Sequence, residues 1–196
     1  MRLDLDGSKF TDWQTLEREA RSCEQCPLAP TRTQVVFGAG DRNADLVFVG
    51  EGPGQNEDEQ GVPFVGRSGK LLTSLIEGIG LTRDDVYIAN VVKCRPPGNR
   101  DPRPDEIEAC RPFLEGQLAL LRPMVVITLG NFATKLLLDT KMGITKLRGQ
   151  EFPFVGGITL VPTLHPAAVL RGGGKSLALV RADFGVAKRV LERADA

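Results

Sequence analysis

The stretch Ala44-Asp45-Leu46-Val47-Phe48-Val49, running on into Gly50-Glu51-Gly52-Pro53-Gly54-Gln55-Asn56-Glu57-Asp58, decides the fold. Its first half is a short apolar, β-branched run, which predicts a buried strand. Its second half is a loop built from glycines and acids. Gly50, Gly52 and Gly54 let backbone approach a ligand closely, and Pro53 stiffens the turn while removing one N–H. Glu51, Glu57 and Asp58 bring three carboxylates close behind the strand end. In open α/β sheets ligands bind outside the carboxyl ends of the strands, so the chemistry is expected here and in the following Pro63-Phe64-Val65-Gly66. The plainer alternative is a Gly-rich strand-to-helix connection with solvated acids.

Outward from this stretch, strands and helices alternate. A helix is expected over Asp12–Arg21 with Thr11 as N-cap. The strand near Asp45–Val49 is followed by an amphipathic helix from Ser68, its N-cap, to Ile79, with Gly80 as the stop. Val86–Val92 reads as a second buried strand. Lys93–Pro104 contains four prolines and must be a loop. A helix is expected over Asp105–Leu121, broken or kinked at Pro112. Met124–Leu129 is a third strand and Asn131–Leu138 a short helix. Glu151–Val155 and Ile158–Val161 form a hairpin across Gly156-Gly157, and Leu177–Arg193 closes the chain as a helix. That order implies a mainly parallel sheet covered by helices on both faces, in one domain over residues 1–196.

The bulk numbers agree. Of 196 residues, 41% are hydrophobic and 26% charged, the make-up of a globular domain. There is no apolar run of about 18 residues, hence no expected membrane span, and the acidic start is unlike a secretory signal. A cytoplasmic location follows. Net charge is zero, which argues against a strongly non-specific nucleic-acid binder. The charge is unevenly spread: residues 1–60 hold 6 Lys/Arg against 12 Asp/Glu, and residues 141–196 hold 9 against 4. A phosphate-facing surface would therefore draw on the last third; a solvated C-terminal helix is the bland alternative.

The four cysteines fall into two pairs, Cys23-x2-Cys26 and Cys94 with Cys110. A cytoplasmic chain is not expected to hold structural disulfides, and none of the four lies in a predicted strand core. They read as four ligands of one metal centre clamping the N-terminal segment to the proline-rich loop. Zinc and a 4Fe–4S cluster both take four thiolates. Base rate favours zinc, although one Cys-x2-Cys with a wide second gap is a weak zinc pattern.

Taken together, the opening loop, Asn90, the cysteine spacing and His165-Pro166-Ala167-Ala168-Val169-Leu170-Arg171 resemble the family 4 uracil-DNA glycosylases, the bacterial and archaeal iron–sulfur branch of that superfamily. The resemblance covers about Cys23 to Arg193. It implies a three-layer α/β/α sandwich around a central, mainly parallel four-stranded sheet. It implies one 4Fe–4S cluster per chain on Cys23, Cys26, Cys94 and Cys110, overturning the zinc base rate. It also implies hydrolysis of the N-glycosidic bond of deoxyuridine in DNA. By that resemblance Phe64 stacks on the flipped uracil. Asn90 donates to O4 and accepts from N3–H, which cytosine cannot match, at a cost to the wrong base of about 1–3 kcal/mol. His165 meets O2 and stabilises the departing uracil anion. Glu51 positions base or water, and Glu57 lies near C5, where it could exclude the thymine methyl.

The chain departs from the superfamily pattern at one place. Gly52 stands within the base-binding loop where the best-studied branch has an aspartate that activates water. For DNA, Ala168, Val169, Leu170 and Arg171 are expected at the minor groove, Val169 or Leu170 as wedge and Arg171 with Lys175 at phosphates. The partner is uracil-containing DNA, the chain is expected to be a monomer, and no membrane is involved. Two other readings compete: a non-catalytic iron–sulfur or zinc nucleic-acid-binding module, and a nucleotide binder using Gly50–Gly54 as a phosphate cradle. The second lacks the Lys-Ser/Thr of a P-loop.

Overall fold

The computed structural model describes residues 3–194. In chain order the elements are α1 (Trp13–Arg21), β1 (Ala39–Gly40), β2 (Leu46–Gly50), α2 (Gln55–Gln60), α3 (Arg67–Glu77), β3 (Tyr87–Asn90), α4 (Pro104–Leu121), β4 (Val125–Leu129), α5 (Asn131–Leu137), α6 (Ile144–Leu147), β5 (Phe152–Pro153), β6 (Thr159–Thr163) and α7 (Pro166–Ala194). One sheet runs in the order β1-β3-β2-β4-β6-β5. Its four inner strands, β3-β2-β4-β6, are parallel. The two-residue strands β1 and β5 add antiparallel edges. The expected four-stranded parallel sheet is thus the inner sheet; β5 and β6 pair as the hairpin expected across Gly156-Gly157, and β1 is too short to leave a pattern.

Both faces of that sheet are covered, which is why its strands read as unbroken apolar runs. Val47, Val49 and Val126 pack with Leu16, Leu114 and Leu118, under α1, α4 and α5. Leu46, Phe48 and Ile127 point the other way, to Leu72 and Ile76 of α3 and Phe184 of α7. The sandwich is therefore three layers, α/β/α. Chain order reverses around β2, which has β3 on one side and β4 on the other. The crevice outside its carboxyl end is the topological switch point.

Several local expectations are corrected. The N-cap of α1 is Asp12, not Thr11, and its carboxylate accepts the Thr15 N–H at 2.8 Å. Helix α3 begins after Gly66, not at Ser68. Its incoming N–H groups, Val65 and Gly66, are met at 3.0 and 3.2 Å by Glu57 Oε1 from outside the helix. Residues 55–60, read as loop, form α2. Helix α4 runs unbroken through Pro112. Pro112 deprives the Glu108 carbonyl of its partner, and Glu108 lies on the exposed side of the helix. The last helix begins eleven residues early, at Pro166, with its one non-helical residue at Gly173 (φ 67°).

Candidate active site

Four strand ends converge on one place. Gly50 ends β2 in register with Asn90 at the end of β3. Asn90 is 2% exposed, and its Oδ1 is, among the described residues, the buried side-chain polar atom with no hydrogen-bond partner. A Cβ on Gly50 would come within 2.4 Å of that Oδ1 and 2.8 Å of Phe64 Cζ. The glycine therefore opens a space bounded by an unpaired amide oxygen and an aromatic ring. Phe64 is held there at φ 53°, a conformation that bulky residues rarely adopt. Arg83 fixes it by donating to the Pro63 carbonyl at 2.9 Å and the Phe64 carbonyl at 3.2 Å.

His165 follows β6, with its ring centroid 5.8 Å from that of Phe64. Gly130 (φ 95°), after β4, lets it in: a Cβ there would lie 2.8 Å from His165 Cβ. Burial, then the positive charge of Arg171, pulls the His165 imidazole down to about 4, with Glu57 opposing. At neutral pH the ring is uncharged. Its Nδ1 accepts the Ala167 N–H at 3.1 Å, so the ring proton resides on Nε2, which is left as a donor.

Beside His165 lies an open cleft of about 600 Å³, lined among others by Glu51, Asp101, Gly130, Asn131, Lys135 and the imidazole. Burial, then the charge of Asp101 on the same cleft wall, pushes Glu51 up to about 7. Gly52 offers no substitute carboxylate, since a Cβ there would meet Val92 Cγ2 at 2.8 Å. Glu57 turns Oε1 to the Val65 and Gly66 N–H groups. Its structural work is to brace the loop that carries Phe64.

Residues 37–185 match the family model described as the uracil DNA glycosylase superfamily. This chain belongs to the uracil-DNA glycosylase superfamily. It is 44% identical over 180 residues to the type-4 uracil-DNA glycosylase of Thermotoga maritima, covering 91% of this chain and 94% of that protein. It is 49% identical over 164 residues to the type-4 enzyme of Sulfurisphaera tokodaii, covering 79% and 74%. With the type-4 enzyme of Archaeoglobus fulgidus the identity is 46% over 160 residues, covering 78% and 80%.

In this member of the superfamily Cys23, Cys26, Cys94 and Cys110 are free thiols lining one small cavity. Among the described residues no group of three or more His, Cys, Asp or Glu side chains is arranged as for one metal ion; the thiols ring the cavity instead. Burial pushes Cys94 up to about 11 and Cys110 to about 12, against the pull of Arg32 and Lys93 respectively. Left alone such thiols are neutral and unreactive. Yet N–H donors already point at sulfur: Lys93 N to Cys110 Sγ at 3.2 Å, and Arg32 Nη1 to Cys94 Sγ at 3.6 Å. That donor set fits a thiolate-bound cluster.

On α7, Val169 and Leu170 part ways. Val169 is 3% exposed and packs in the core with Phe64 and Val161, whereas Leu170 is 43% exposed. Val169 cannot serve as a wedge, because its turn of helix faces inward. Ala168 is half-buried; Arg171 and Lys175 are exposed beside the Gly173 break. No helix is long and apolar enough to cross a membrane among the described residues.

Sequence reading missed three residues of this superfamily member. Asp101, the single acid of the proline-rich loop 93–104, belongs to no recognisable motif. Arg83 lies 19 residues from the carbonyl of Phe64 that it holds. Lys93, 1% exposed, donates from Nζ to the Asn90 carbonyl at 2.7 Å and to Gln117 Oε1 at 2.5 Å. Only a lysine directly after an apolar strand hinted at burial.

Proposed function

We propose that this protein hydrolyses the N-glycosidic bond of deoxyuridine in DNA, releasing uracil and leaving an abasic site as the first step of base-excision repair. The observation that carries the reading is the unpaired, buried Oδ1 of Asn90 beside the Phe64 ring. A buried acceptor without a donor is costly, and the N3–H of a flipped uracil supplies one. The amide NH2 donates to O4. Cytosine has no N3–H and presents an amine instead of O4, so it leaves the site unsatisfied.

Phe64 stacks on the extruded base. The Nε2–H of a neutral His165 donates to O2 and stabilises the uracil anion as the bond breaks. Glu51 receives the proton of the attacking water, and the Gly52 backbone borders the base. Glu57 shapes the C5 side through the loop it braces. Leu170 fills the gap left in the duplex. Ala168 lies against the groove, and Arg171 and Lys175 meet phosphates. Cys23, Cys26, Cys94 and Cys110 hold one 4Fe–4S cluster. When bound, it would supply cross-links between three chain segments. The enzyme works as a monomer in the cytoplasm, where free thiols persist.

The test is uracil release from an oligonucleotide holding one deoxyuridine. The intact protein is expected to release it. His165→Ala is expected to slow single-turnover release by about 10²–10³-fold while DNA affinity changes little. Full activity in that variant would remove His165 from the reaction.

A further inference from the structure

We infer that Arg83 is a positioning residue for this reaction: its guanidinium fork grips the carbonyls on either side of Phe64 and so holds the ring where the extruded base stacks. The inference rests on the glycosylase reading and adds a residue to it. Arg83 Nη2 donates to the Pro63 carbonyl at 2.9 Å and Nη1 to the Phe64 carbonyl at 3.2 Å. These carbonyls belong to the peptide units before and after Phe64, and the orientation of one unit to the other is the φ and ψ of that residue. A planar fork that takes both therefore fixes the Phe64 backbone. Phe64 stands at φ 53°, a conformation that an aromatic residue keeps only where its surroundings impose it.

The peptide that follows Phe64 is held at both ends. Its carbonyl goes to Arg83, and its N–H, on Val65, donates to Glu57 Oε1 at 3.0 Å. Arg83 Nη1 also donates to Thr73 Oγ1 at 3.3 Å, and that hydroxyl donates to the Gly69 carbonyl at 3.0 Å. The guanidinium thus ties the Phe64 turn to α3, the helix in which Gly69 leaves room for the Phe64 carbonyl oxygen. Arg83 itself sits in a fixed turn ahead of β3: the Asp85 carboxylate accepts the Thr82 N–H and the Thr82 hydroxyl, each at 2.7 Å. Its three partners are neutral oxygens, two of them main-chain, and a charged donor makes such bonds stronger than neutral ones.

The ring so held lies with its centroid 5.8 Å from that of His165 and bounds the space beside Asn90 Oδ1 that Gly50 leaves open. A turn that relaxes to negative φ carries the ring out of this space, while Asn90, the imidazole and α7 keep their own supports. A lysine cannot replace the fork, because an ammonium is a single donor point on a flexible stem. Arg83 acts through Phe64 and not on the base.

The deciding experiment measures single-turnover uracil release and DNA affinity for the cluster-loaded wild type, Arg83→Ala, Arg83→Lys, Phe64→Ala and the double variant Arg83→Ala with Phe64→Ala. Arg83→Ala is expected to slow release by about 10–10²-fold, the scale of a misplaced contact group, with little change in DNA affinity. Arg83→Lys is expected to recover little of that loss; it keeps the stem and the charge, and so carries the comparison even where Arg83→Ala is too unstable to use. Arg83 is half-buried, so added guanidinium, at matched ionic strength, is expected to enter the gap in Arg83→Ala and restore part of the rate. The double variant is expected to be no slower than Phe64→Ala. NMR contacts between the Phe64 and His165 rings, present in the wild type and lost in Arg83→Ala, read the same displacement without turnover. Folded arginine variants that release uracil at the wild-type rate with the ring contact intact, or a double variant in which the two losses multiply, overturn the inference while leaving the glycosylase reading intact. A wild type that releases no uracil overturns that reading, and this one with it.

Discussion

Glu51 illustrates how a single side chain trades stability against function. Burial and the Asp101 carboxyl push it from an ordinary 4.5 up to about 7, so the folded state binds its proton more tightly than the unfolded state. The stabilisation this gives is fully present below about pH 4.5 and is lost as pH rises through about 7. Glu51→Gln is therefore expected to match the wild type at pH 4 and to exceed it at pH 8. Glu51 is half-exposed, so the gain after solvent screening is on the order of 1 kcal/mol. Urea midpoints at the two pH values measure it; equal midpoints at pH 8 would mean the carboxyl is not strained. His165 was legible as the lone histidine, but its uncharged state was not. That state depends on burial and Arg171, which no spacing reveals.

At the scale of elements, helix α3 and the Phe64 turn fit only because position 69 has no side chain. A Cβ on Gly69 would lie 1.7 Å from the Phe64 carbonyl oxygen. Alanine gains roughly 1 kcal/mol of helix propensity over glycine, and overpacking costs about 1–3 kcal/mol; the clash with backbone wins. Gly69→Ala is thus expected to lower stability by about 1–2 kcal/mol and to displace Phe64, weakening uracil release, while Lys70→Ala on the exposed side of α3 does neither. Thermal melts and release rates of the pair check it. The inner strands were readable because both faces are buried and the runs stay apolar. The edge β1 was not, at two residues, whereas β5 was legible as the first arm of the hairpin across Gly156-Gly157, although only two of its residues pair. Helix α2 was hidden by its polar sequence, and its partners are distant: the buried Asp58 accepts the Thr33 N–H at 2.9 Å. Val169 and Leu170 are adjacent and alike in sequence. Only the helix from Pro166 separates an inward residue from an exposed one.

Across the whole molecule, the cysteine cavity and the base pocket are one continuous piece of structure. Lys93 joins them: its backbone N–H donates to Cys110 Sγ and its ammonium to the Asn90 carbonyl. The cavity also unites Cys23 and Cys26, just beyond α1, with the Cys94 loop and α4. Metal binding energy is then folding energy for the first forty residues, while β4, β6 and α7 keep their own core of Val161, Val180 and Phe184. Chelating the cluster, or replacing Cys26 with Ser, is expected to cost about 3 kcal/mol, roughly 6–12 °C in a chain of this size. Hydrogen exchange is expected to rise first in residues 13–36 and next around Asn90, with β6 and α7 protected until global unfolding. Base selectivity falls with the second step, because the strand end carrying Asn90 loses the Lys93 brace. A melt and an exchange pattern that ignore the metal would confine the cysteines to a local role and sever them from uracil recognition.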